Sequence, residues 1–403
     1  MQRFDSMDAF RGMLAHKIEE QSLTNLEISP FMFKEGRFDI NTVQHILFQS
    51  LKSPDVRSLE LTGLHIDQTL ASSLLQVLRK RNYWERLTLV GCTGRDLFAV
   101  FTGLSKVHSL HLTGVALDYE AFCTLSLALK HAPNLTSLSL TWLSLHEGIT
   151  PLAESFACNH SLERLILTGC NVQDDHLAEL FSQALTGMQQ LNLEDNHCHA
   201  HGSVAISKLL QRTTSLVDLN LSEQSPTDDA NYEKIDIRPI AQAVRWNQTL
   251  RSIDLSYNCL NDTDLTLLAT ALIENVMLMQ LELGSNLISD IGISSLATCL
   301  VRMRGLKRLH LTRNPFSKTD ELLNAVKLNL ELEELEIDLQ MMNFTEIQYY
   351  LTLNKGGRRL LKSSTQVPLG LWPLVLERCN DLKWNTSVMF YLLQGPVLFE
   401  RAD

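Results

Sequence analysis

The sequence has 403 residues, of which 45% are apolar and 20% are charged, and it carries a formal net charge of −11. This composition is typical of a globular chain that is long enough to bury a sizeable core. The negative charge argues against nucleic acid as a partner, because phosphates select basic surfaces, and it favours protein partners with a neutral or basic surface.

The N-terminal segment, residues 1–22, predicts an amphipathic helix that acts as a cap. Its apolar residues follow helical spacing at Phe4, Met7, Phe10, Leu14 and Ile18. The segment lacks the apolar stretch of a secretory signal, and no run of 18 apolar residues occurs in the chain, so we expect neither export nor membrane insertion. The eight cysteines include no Cys-x-x-Cys pair, which favours a reducing, cytoplasmic compartment.

One pattern, L-x-x-L-x-L, recurs along nearly the full chain at intervals of 23 to 34 residues. Eleven good copies begin at Val56, Trp84, Val107, Leu135, Leu162, Met188, Leu216, Leu250, Leu278, Leu306 and Leu332, and a degenerate copy begins at Leu23. The L-x-L alternation is typical of a short strand, and apolar residues return to helical spacing about ten residues later. A strand and a crossover helix, repeated, predict an α/β solenoid of parallel strands. Because helices are wider than strands, we expect the strands on the inner, concave side.

These repeats resemble the leucine-rich repeat family, in particular its ribonuclease-inhibitor-like class, from residue 23 to about residue 340. That class carries Asn or Cys at position nine of each repeat, counted from the first apolar residue. The matching residues are Cys92, Cys170, Asn196, Asn258, Asn286 and Asn314. The departures are Leu64, Val115, Leu143, Gln224 and Gln340. The resemblance implies a right-handed horseshoe of about twelve repeats over residues 23–340, with parallel strands on the concave face and helices on the convex face.

The stretch EDNHCHAHGS raises the possibility of a metal site. His197, Cys198, His199 and His201 fall within five positions, and imidazole and thiolate groups are zinc ligands. The repeat register, however, aligns Cys198 with Ile288, an inward apolar position. We therefore predict a buried cysteine, three histidines in the strand-to-helix loop, and no bound metal, because nothing in the sequence closes a tetrahedral site.

Residues 341–403 depart from the repeat and predict a C-terminal helical cap. The stretch TEIQYYLTLNKGGRRLL is typical of a helix that ends at Gly356 or Gly357. The segments VPLGLWPLVLERC and SVMFYLLQGPVLF are apolar enough to cover the open end of a solenoid or to serve as a docking surface. NKGGRRLL and PLGLWPLVLER are similar to the endings of leucine-rich repeat proteins of diatoms.

The side chains between the apolar strand positions should point into the concavity. The predicted protein-binding residues are four acidic ones, Glu194, Asp218, Asp254 and Glu282, and a stripe of opposite charge, Arg308, His310 and Arg313. Charge bands on an extended surface can steer and register a protein partner. We therefore predict a scaffold that binds a partner protein on the concave face. A solvated face without a ligand is the alternative.

The sequence contains no motif of a nucleotide-binding loop, a serine hydrolase or a zinc protease. An open curved sheet also lacks the walls that desolvate an acid or base and shift its pKa. We therefore predict that the chain is not an enzyme and that it needs no cofactor.

One regulatory activity uses a scaffold of this kind. Ran GTPase-activating proteins are leucine-rich repeat proteins that resemble this chain in acidity and repeat type, and they carry Thr-Gly-Arg after an early strand. Here Thr93, Gly94 and Arg95 follow the strand at Leu87. The resemblance implies a small, Ran-like GTPase as the alternative partner and Arg95 as the residue that would act on it. The chain departs from that family at its end, QGPVLFERAD, which lacks a long acidic run.

Overall fold

A computed structural model describes residues 24–30, 40–50, 55–182, 187–224 and 234–359, together with isolated positions between 12 and 16 and between 373 and 390. The helix predicted within residues 1–22 and the apolar segments predicted beyond residue 360 lie outside these continuous stretches. The chain divides into two compact units, which comprise residues 1–216 and residues 217–403.

The described part of the first unit contains parallel strands that neighbour one another in chain order. The strands are β1 (Asn25–Ile28), β2 (Ser58–Thr62), β3 (Trp84–Val90), β4 (Val107–Thr113), β5 (Ser137–Thr141), β6 (Arg164–Thr168) and β7 (Gln190–Asn192). The helices between and after them are α1 (Ile40–Ser50), α2 (Gln68–Lys80), α3 (Leu97–Phe101), α4 (Tyr119–Lys130), α5 (Ile149–Cys158), α6 (Asp174–Leu180) and α7 (Ala200–Arg212). The predicted alternation of strand and helix is therefore confirmed.

The second unit repeats the same arrangement with shorter strands, again parallel and in chain order. The strands are β8 (Asp218–Asn220), β9 (Ser252–Asp254), β10 (Gln280–Glu282), β11 (Arg308–His310) and β12 (Glu334–Glu336). The helices are α8 (Ile237–Trp246), α9 (Asp262–Glu274), α10 (Asp290–Leu300), α11 (Asp320–Leu328) and α12 (Phe344–Lys355). The helix predicted to end at Gly356 or Gly357 is α12, which ends at Lys355.

The core lies between each strand and its helix. In the repeat that begins at Leu278, the side chains of Leu278, Leu281 and Leu283 are at most 1% exposed, and its helix α10 buries Ile293 and Leu296. Each such leucine contributes about 1.5–3 kcal/mol relative to an exposed one. A shift of one residue would turn every strand leucine to solvent, so this pattern fixes the register. None of the described helices is long and apolar enough to cross a membrane.

Side-chain caps fix where several helices begin. Asp67, Asp118 and Asn261 precede α2, α4 and α9, and each accepts a hydrogen bond from an amide of the first turn at 2.8–3.0 Å. Such a cap stabilises a helix by about 1 kcal/mol, because the first-turn amides have no partner within the helix. The caps therefore end each loop at a defined residue.

Position eight, the turn after the strand, lies in the left-handed region of backbone space in the repeats that begin at Val56 to Leu306. In the first unit it is held by Gly63, Gly91, Gly114 and Gly169, with φ between +57° and +65°. Trp142 holds the same position with φ +57°, and its amide donates to the carbonyl of Thr168 at 2.9 Å. In the second unit the position is held by Glu223, Tyr257, Ser285 and Arg313, with φ between +55° and +58°. A side chain in this conformation costs roughly 1–2 kcal/mol that glycine avoids.

Position nine is a buried asparagine in the most regular repeats, and it joins each repeat to the one before it. The Asn286 amide group donates to the carbonyls of Leu255 and Leu283, each at 3.0 Å. Its Oδ1 accepts the amides of Asn258 and Leu260, each at 3.0 Å. This one side chain satisfies four buried backbone groups, which explains why the position prefers Asn.

A second set of buried asparagines follows the helices, three residues before the next repeat begins. Its members include Asn159, Asn247, Asn275 and Asn329. The Asn275 amide group donates to the carbonyl of Asn247 at 3.0 Å, and its Oδ1 accepts the amides of Met277 and Leu278 at 2.8 Å. These asparagines were not predicted to have a role, although their fixed distance from the start of the next repeat is visible in the sequence.

Carboxylates at helix starts join each repeat to the one after it. Asp262, the first residue of α9, accepts the amide of Ser289 at 2.8 Å and its hydroxyl at 2.6 Å. Asp290, the first residue of α10, accepts the amide of Ser317 at 2.6 Å. A Cβ on Gly292 would lie 2.4 Å from the Asp262 Oδ1, so the close approach of the next helix requires glycine there.

Candidate protein-binding face

The predicted charges of the second unit lie on the sheet in two rows that cross the strands. Position three of successive strands carries Asp218, Ser252, Gln280, Arg308 and Glu334. Position five carries Asn220, Asp254, Glu282, His310 and Glu336. Asp218 and Asp254 therefore belong to different rows, roughly 6–7 Å apart along the strand direction. Each row contains both acidic and basic side chains.

A hydrogen-bonded network links the predicted acidic and basic residues of the position-five row. His310 Nδ1 lies 2.6 Å from Glu282 Oε2, and Gln280 Nε2 donates to Glu282 Oε1 at 2.9 Å. His310 Nε2 contacts the hydroxyl of Thr312 and lies 3.7 Å from Glu336 Oε2. Cross-strand contacts of this kind hold the side chains in one geometry before any partner arrives. The Glu282 carboxylate and the His310 imidazole thus fix each other's orientation within the chain.

Asp254 is oriented by its own strand. Its Oδ1 accepts the amide of Ser256 at 2.8 Å, and Asn220 makes the equivalent bond to Ser222 at 2.8 Å. Both Asp218 and Asp254 are half-buried. The carboxylate of Asp254 is therefore held at a fixed place on the sheet surface.

The predicted basic residues Arg308 and Arg313 are exposed. The Arg313 Nη1 donates to the Tyr257 hydroxyl at 2.7 Å, which spans the intervening repeat, and the Arg313 amide donates to Asp338 Oδ2 at 3.2 Å. Tyr257 is 42% exposed, so an aromatic ring and a guanidinium form one surface feature. Sequence reasoning left Tyr257 out of the site, and no signal in the sequence links residues two repeats apart.

Glu194, the remaining predicted acidic residue, belongs to the first unit and is half-buried. Its amide donates to Asn192 Oδ1 at 2.8 Å, and its Oε2 accepts from Asn192 Nδ2 at 3.4 Å. The strands before it carry mostly hydroxyl groups, as Ser137, Ser139 and Thr141 show. The face of this unit is therefore less charged than that of the second unit.

His111 lies within the hydroxyl-rich part of this face, 2.7 Å from the Ser109 hydroxyl. Burial lowers its pKa, and the positive charges of Arg86 and Arg164 lower it further. The imidazole is therefore neutral at physiological pH, so His111 contributes hydrogen bonding and not charge to this face.

In the structure, the stretch EDNHCHAHGS forms the turn and loop that lead into α7. Cys198 is fully buried, and burial, with a further contribution from Asp174, raises the pKa of its thiol to about 12. The Asp174 carboxylate accepts the amides of His199 at 2.7 Å and of His201 at 2.9 Å. The His197 and His199 ring centroids are 6.0 Å apart. Across the described ranges, no cluster of three or more His, Cys, Asp or Glu could hold a metal ion.

Arg95, the residue of the alternative hypothesis, is exposed and precedes α3 by two residues. Gly94 has φ +122°, and a Cβ there would lie 2.1 Å from the Ile66 carbonyl oxygen, so this glycine is sterically required. The Thr93 hydroxyl lies 3.1 Å from His65 Nδ1 in the preceding repeat. The tripeptide Thr-Gly-Arg thus has a structural reason for its glycine, and its arginine projects from a turn.

The repeated strand motif, the in-register parallel strands of each unit and the helix that follows each strand together define an α/β leucine-rich repeat solenoid. The chain therefore has the leucine-rich repeat fold. The strand positions between the leucines face away from the core. The residues on this face of the sheet are therefore not fixed by core packing.

No protein-family model matches the chain. It is 27% identical over 190 residues to the human NACHT, LRR and PYD domains-containing protein 14, a match that covers 46% of this chain and 17% of that protein. An internalin from Listeria monocytogenes is 19% identical, with 77% of this chain and 92% of the internalin covered and a TM-score of 0.43. TLR13 in its complex with ssRNA13 is also 19% identical, with coverages of 80% and 42% and a TM-score of 0.45. The chain thus spans less than a fifth of its human relative.

Proposed function

We propose that this protein is a non-catalytic recognition scaffold that binds a partner protein on the strand face of its second unit. The binding residues there are Asp218, Asp254 and Glu282, with Arg308, His310 and Arg313. Glu194 is proposed separately as a binding residue on the strand face of the first unit. The partner offers a surface with basic groups opposite the carboxylates. No nucleic acid, membrane or cofactor takes part.

The observation that carries this proposal is the fixed geometry of the charges. Glu282 is bonded to Gln280 and His310, and Asp254 is bonded to the backbone of Ser256. Because these side chains are already ordered, binding of a partner costs less side-chain entropy. The two rows also provide a register, because acidic residues flank the basic ones and a partner shifted along the rows would place like charges together.

The direct test is capture of partners from a lysate of the organism that makes the protein, with the Asp218→Lys, Asp254→Lys double variant alongside. We expect the variant to fold, because the two residues lie on the sheet surface, and to lose the captured protein. The Asp218→Asn, Asp254→Asn variant removes the charge but keeps the amide-accepting oxygen that Asn220 uses at the equivalent position.

A matched control carries the same change of charge on the helix side of the fold. Glu120 and Glu321 are exposed residues in the first turns of α4 and α11, and their double substitution by Lys should leave capture unchanged. Equal capture by the strand-face variant and the wild type would contradict the proposal. Equal losses in the strand-face and helix-side variants would assign the effect to net charge alone.

The alternative function, activation of a small GTPase, is supported by the exposed position of Arg95 behind a sterically required glycine. An arginine supplied to a GTPase stabilises charge in the transition state of hydrolysis. Under this alternative, Arg95→Ala abolishes stimulated hydrolysis of GTP in a single-turnover assay, whereas the double Lys variant of the strand face retains it. Under the recognition hypothesis, the double Lys variant of the strand face loses the captured protein, whereas Arg95→Ala still captures it.

The domain arrangement that we propose has caps at residues 1–22 and 341–403 around repeats of the ribonuclease-inhibitor-like class at 23–340. Contacts of α12 support the C-terminal cap, since Gln348 donates to the carbonyl of Leu335 in β12 at 3.0 Å and Lys327 of α11 pairs with Glu346 at 2.6 Å. The cysteines among the described residues are free thiols, which fits a cytoplasmic location.

A further inference from the structure

Trp142 is the exceptional residue of the first unit's turns. Its side chain is 62% exposed, and its backbone has φ +57° at a position where the unit otherwise uses mainly glycine. A bulky residue in the left-handed region is strained, and most of this side chain lies outside the core whose packing would offset the strain. A glycine would satisfy the turn without that strain, so the indole itself requires an explanation.

The indole is held in a defined place. A Cβ on Gly169, the equivalent turn position of the next repeat, would lie 2.8 Å from the Trp142 Cε3 and 3.1 Å from its Cδ2. The ring therefore packs over the Gly169 backbone, displaced by one strand toward β7, while more than half of the side chain remains accessible to solvent. A flat aromatic surface fixed by its neighbour is a ready stacking platform.

An acidic residue follows this platform on the next strand. Asp195 holds the turn position that follows Gly169, roughly 5 Å further across the sheet, and Glu194 precedes it. Burial raises the pKa of the Cys170 thiol to about 11, and the negative charge of Asp195 adds to that rise.

An accessible indole with a carboxylate nearby favours a planar cation such as a guanidinium over a compact one such as an ammonium group. A guanidinium can stack on the ring and hydrogen-bond to a carboxylate at the same time, whereas an ammonium group makes a point contact. The chain itself shows this chemistry. Arg245 lies over the ring of Trp246, with its Cζ 5.1 Å from the centroid, and within the described residues no cationic side chain lies over the Trp142 ring.

We propose that Trp142 and Asp195 form a binding point for an arginine side chain of the partner protein, with the guanidinium stacked on the exposed indole and hydrogen-bonded to the carboxylate. This inference rests on the proposed function as a protein-binding scaffold and names one feature that the partner must present. Trp142 supplies the stacking surface, and Gly169 leaves the room in which the ring lies.

The test uses the full chain with 15N-labelled tryptophan and N-acetyl-L-arginine amide as the probe. The indole signal of Trp142, identified by its loss in Trp142→Gly, should shift saturably with the probe. The citrulline analogue, which keeps the shape without the charge, should bind at least about fivefold more weakly, as expected for loss of a cation–π contact and an ion pair. The Trp84 signal is the control within the same spectrum, because that ring is 1% exposed and cannot stack with the probe.

Two variants separate recognition from structure. Asp195→Asn keeps a side chain that tolerates the left-handed region and should weaken probe binding about threefold. Trp142→Gly should abolish binding while the melting temperature stays equal or rises. A Trp142 signal that does not move, or that moves equally with citrulline, overturns the inference, as does a lower melting temperature of Trp142→Gly, which would show that the indole serves stability. Because the probe is independent of the partner, a failure here leaves the capture experiment unaffected.

Discussion

The two units build the same repeat in different ways. Strands β2 to β6 of the first unit have five to seven residues, whereas β8 to β12 of the second unit have three. The long strands belong to repeats with Cys or an apolar residue at position nine, and the short strands belong to repeats with Asn or Gln there. Strand β7 supports the rule, because it lies in the first unit but precedes Asn196 and has three residues.

The side chain of Asp254 accounts for the end of β9. The amide of Ser256, which could otherwise extend the ladder beyond position five, donates to Asp254 Oδ1 at 2.8 Å. The position-six carbonyl is bonded in both units, because Leu255 accepts from Asn286 Nδ2 at 3.0 Å and Leu167 of the longer strand β6 accepts from Asn196 Nδ2 at 2.6 Å. Strand length here depends on which side chains compete for backbone groups.

The largest effect that would test this comparison is expected from Asn286→Ala. The substitution leaves three buried backbone groups, the Leu255 carbonyl and the amides of Asn258 and Leu260, without their side-chain partner. We therefore expect the free energy of unfolding to fall by about 3 kcal/mol or more in urea. The matched variant Cys170→Ala removes one weak bond and a small apolar group and should cost about 1 kcal/mol. Equal losses in the two variants would show that position nine has the same role in both units.

An intermediate effect on the free energy of unfolding is expected at high pH. It concerns the first unit, because the fully buried cysteines among the described residues lie there. Burial raises the pKa of Cys170 to about 11 and that of Cys198 to about 12, from 9.0. The folded state therefore holds these protons more tightly than the unfolded state does. The stabilisation is complete below pH 9 and is lost as pH rises toward 11–12, by about 1.4 kcal/mol per pH unit for each thiol.

Urea unfolding at pH 8 and pH 10 measures this loss. The Cys170→Ala, Cys198→Ala variant is the control, and its stability should fall less between the two values. Parallel declines in the variant and the wild type would assign the alkaline loss to other groups.

The smallest effect is expected at position eight and has opposite signs in the two units. Ser285→Gly should raise the free energy of unfolding by about 1 kcal/mol, because it relieves a left-handed serine. Gly114→Ser should lower it by a similar amount, since open space surrounds that glycine and only the backbone conformation resists the change. Changes of the same sign in both variants would show that the turns differ in more than their residue type.

The repeat was predictable from the sequence because its leucines recur at fixed positions and have no alternative burial. The charged residues of the predicted site were also identifiable, since they occupy the positions between those leucines. The pairing of His310 with Glu282 was not predictable, because it depends on side-chain rotamers across two strands. The conformation of Trp142 could have been found, since Gly114 and Gly169 hold the same repeat position and glycine there indicates a left-handed turn.

The aspartates at helix starts were missed for a different reason. Each one acts on the following repeat, so no local pattern reveals it. The available signal was a pair of residues a full repeat apart: Asp174 with Gly202, and Asp262 with Gly292, where the glycine makes room for the carboxylate. Both Asp–Gly pairs become visible when the repeats are aligned with one another, whereas a helix or strand template applied to a single repeat does not reveal them.

Together, an aspartate at the helix start and an asparagine at position nine give the repeat at Leu278 one acceptor for the neighbour ahead and one for the neighbour behind. Asp290 serves Ser317 of the next repeat, and Asn286 serves Asn258 of the previous one. A gene duplication that copies one full period therefore copies both acceptors, wherever its boundaries fall. The new junction is complete as soon as it forms, so a protein of this kind can lengthen in evolution by single steps, without an intermediate that contains an unsatisfied interface.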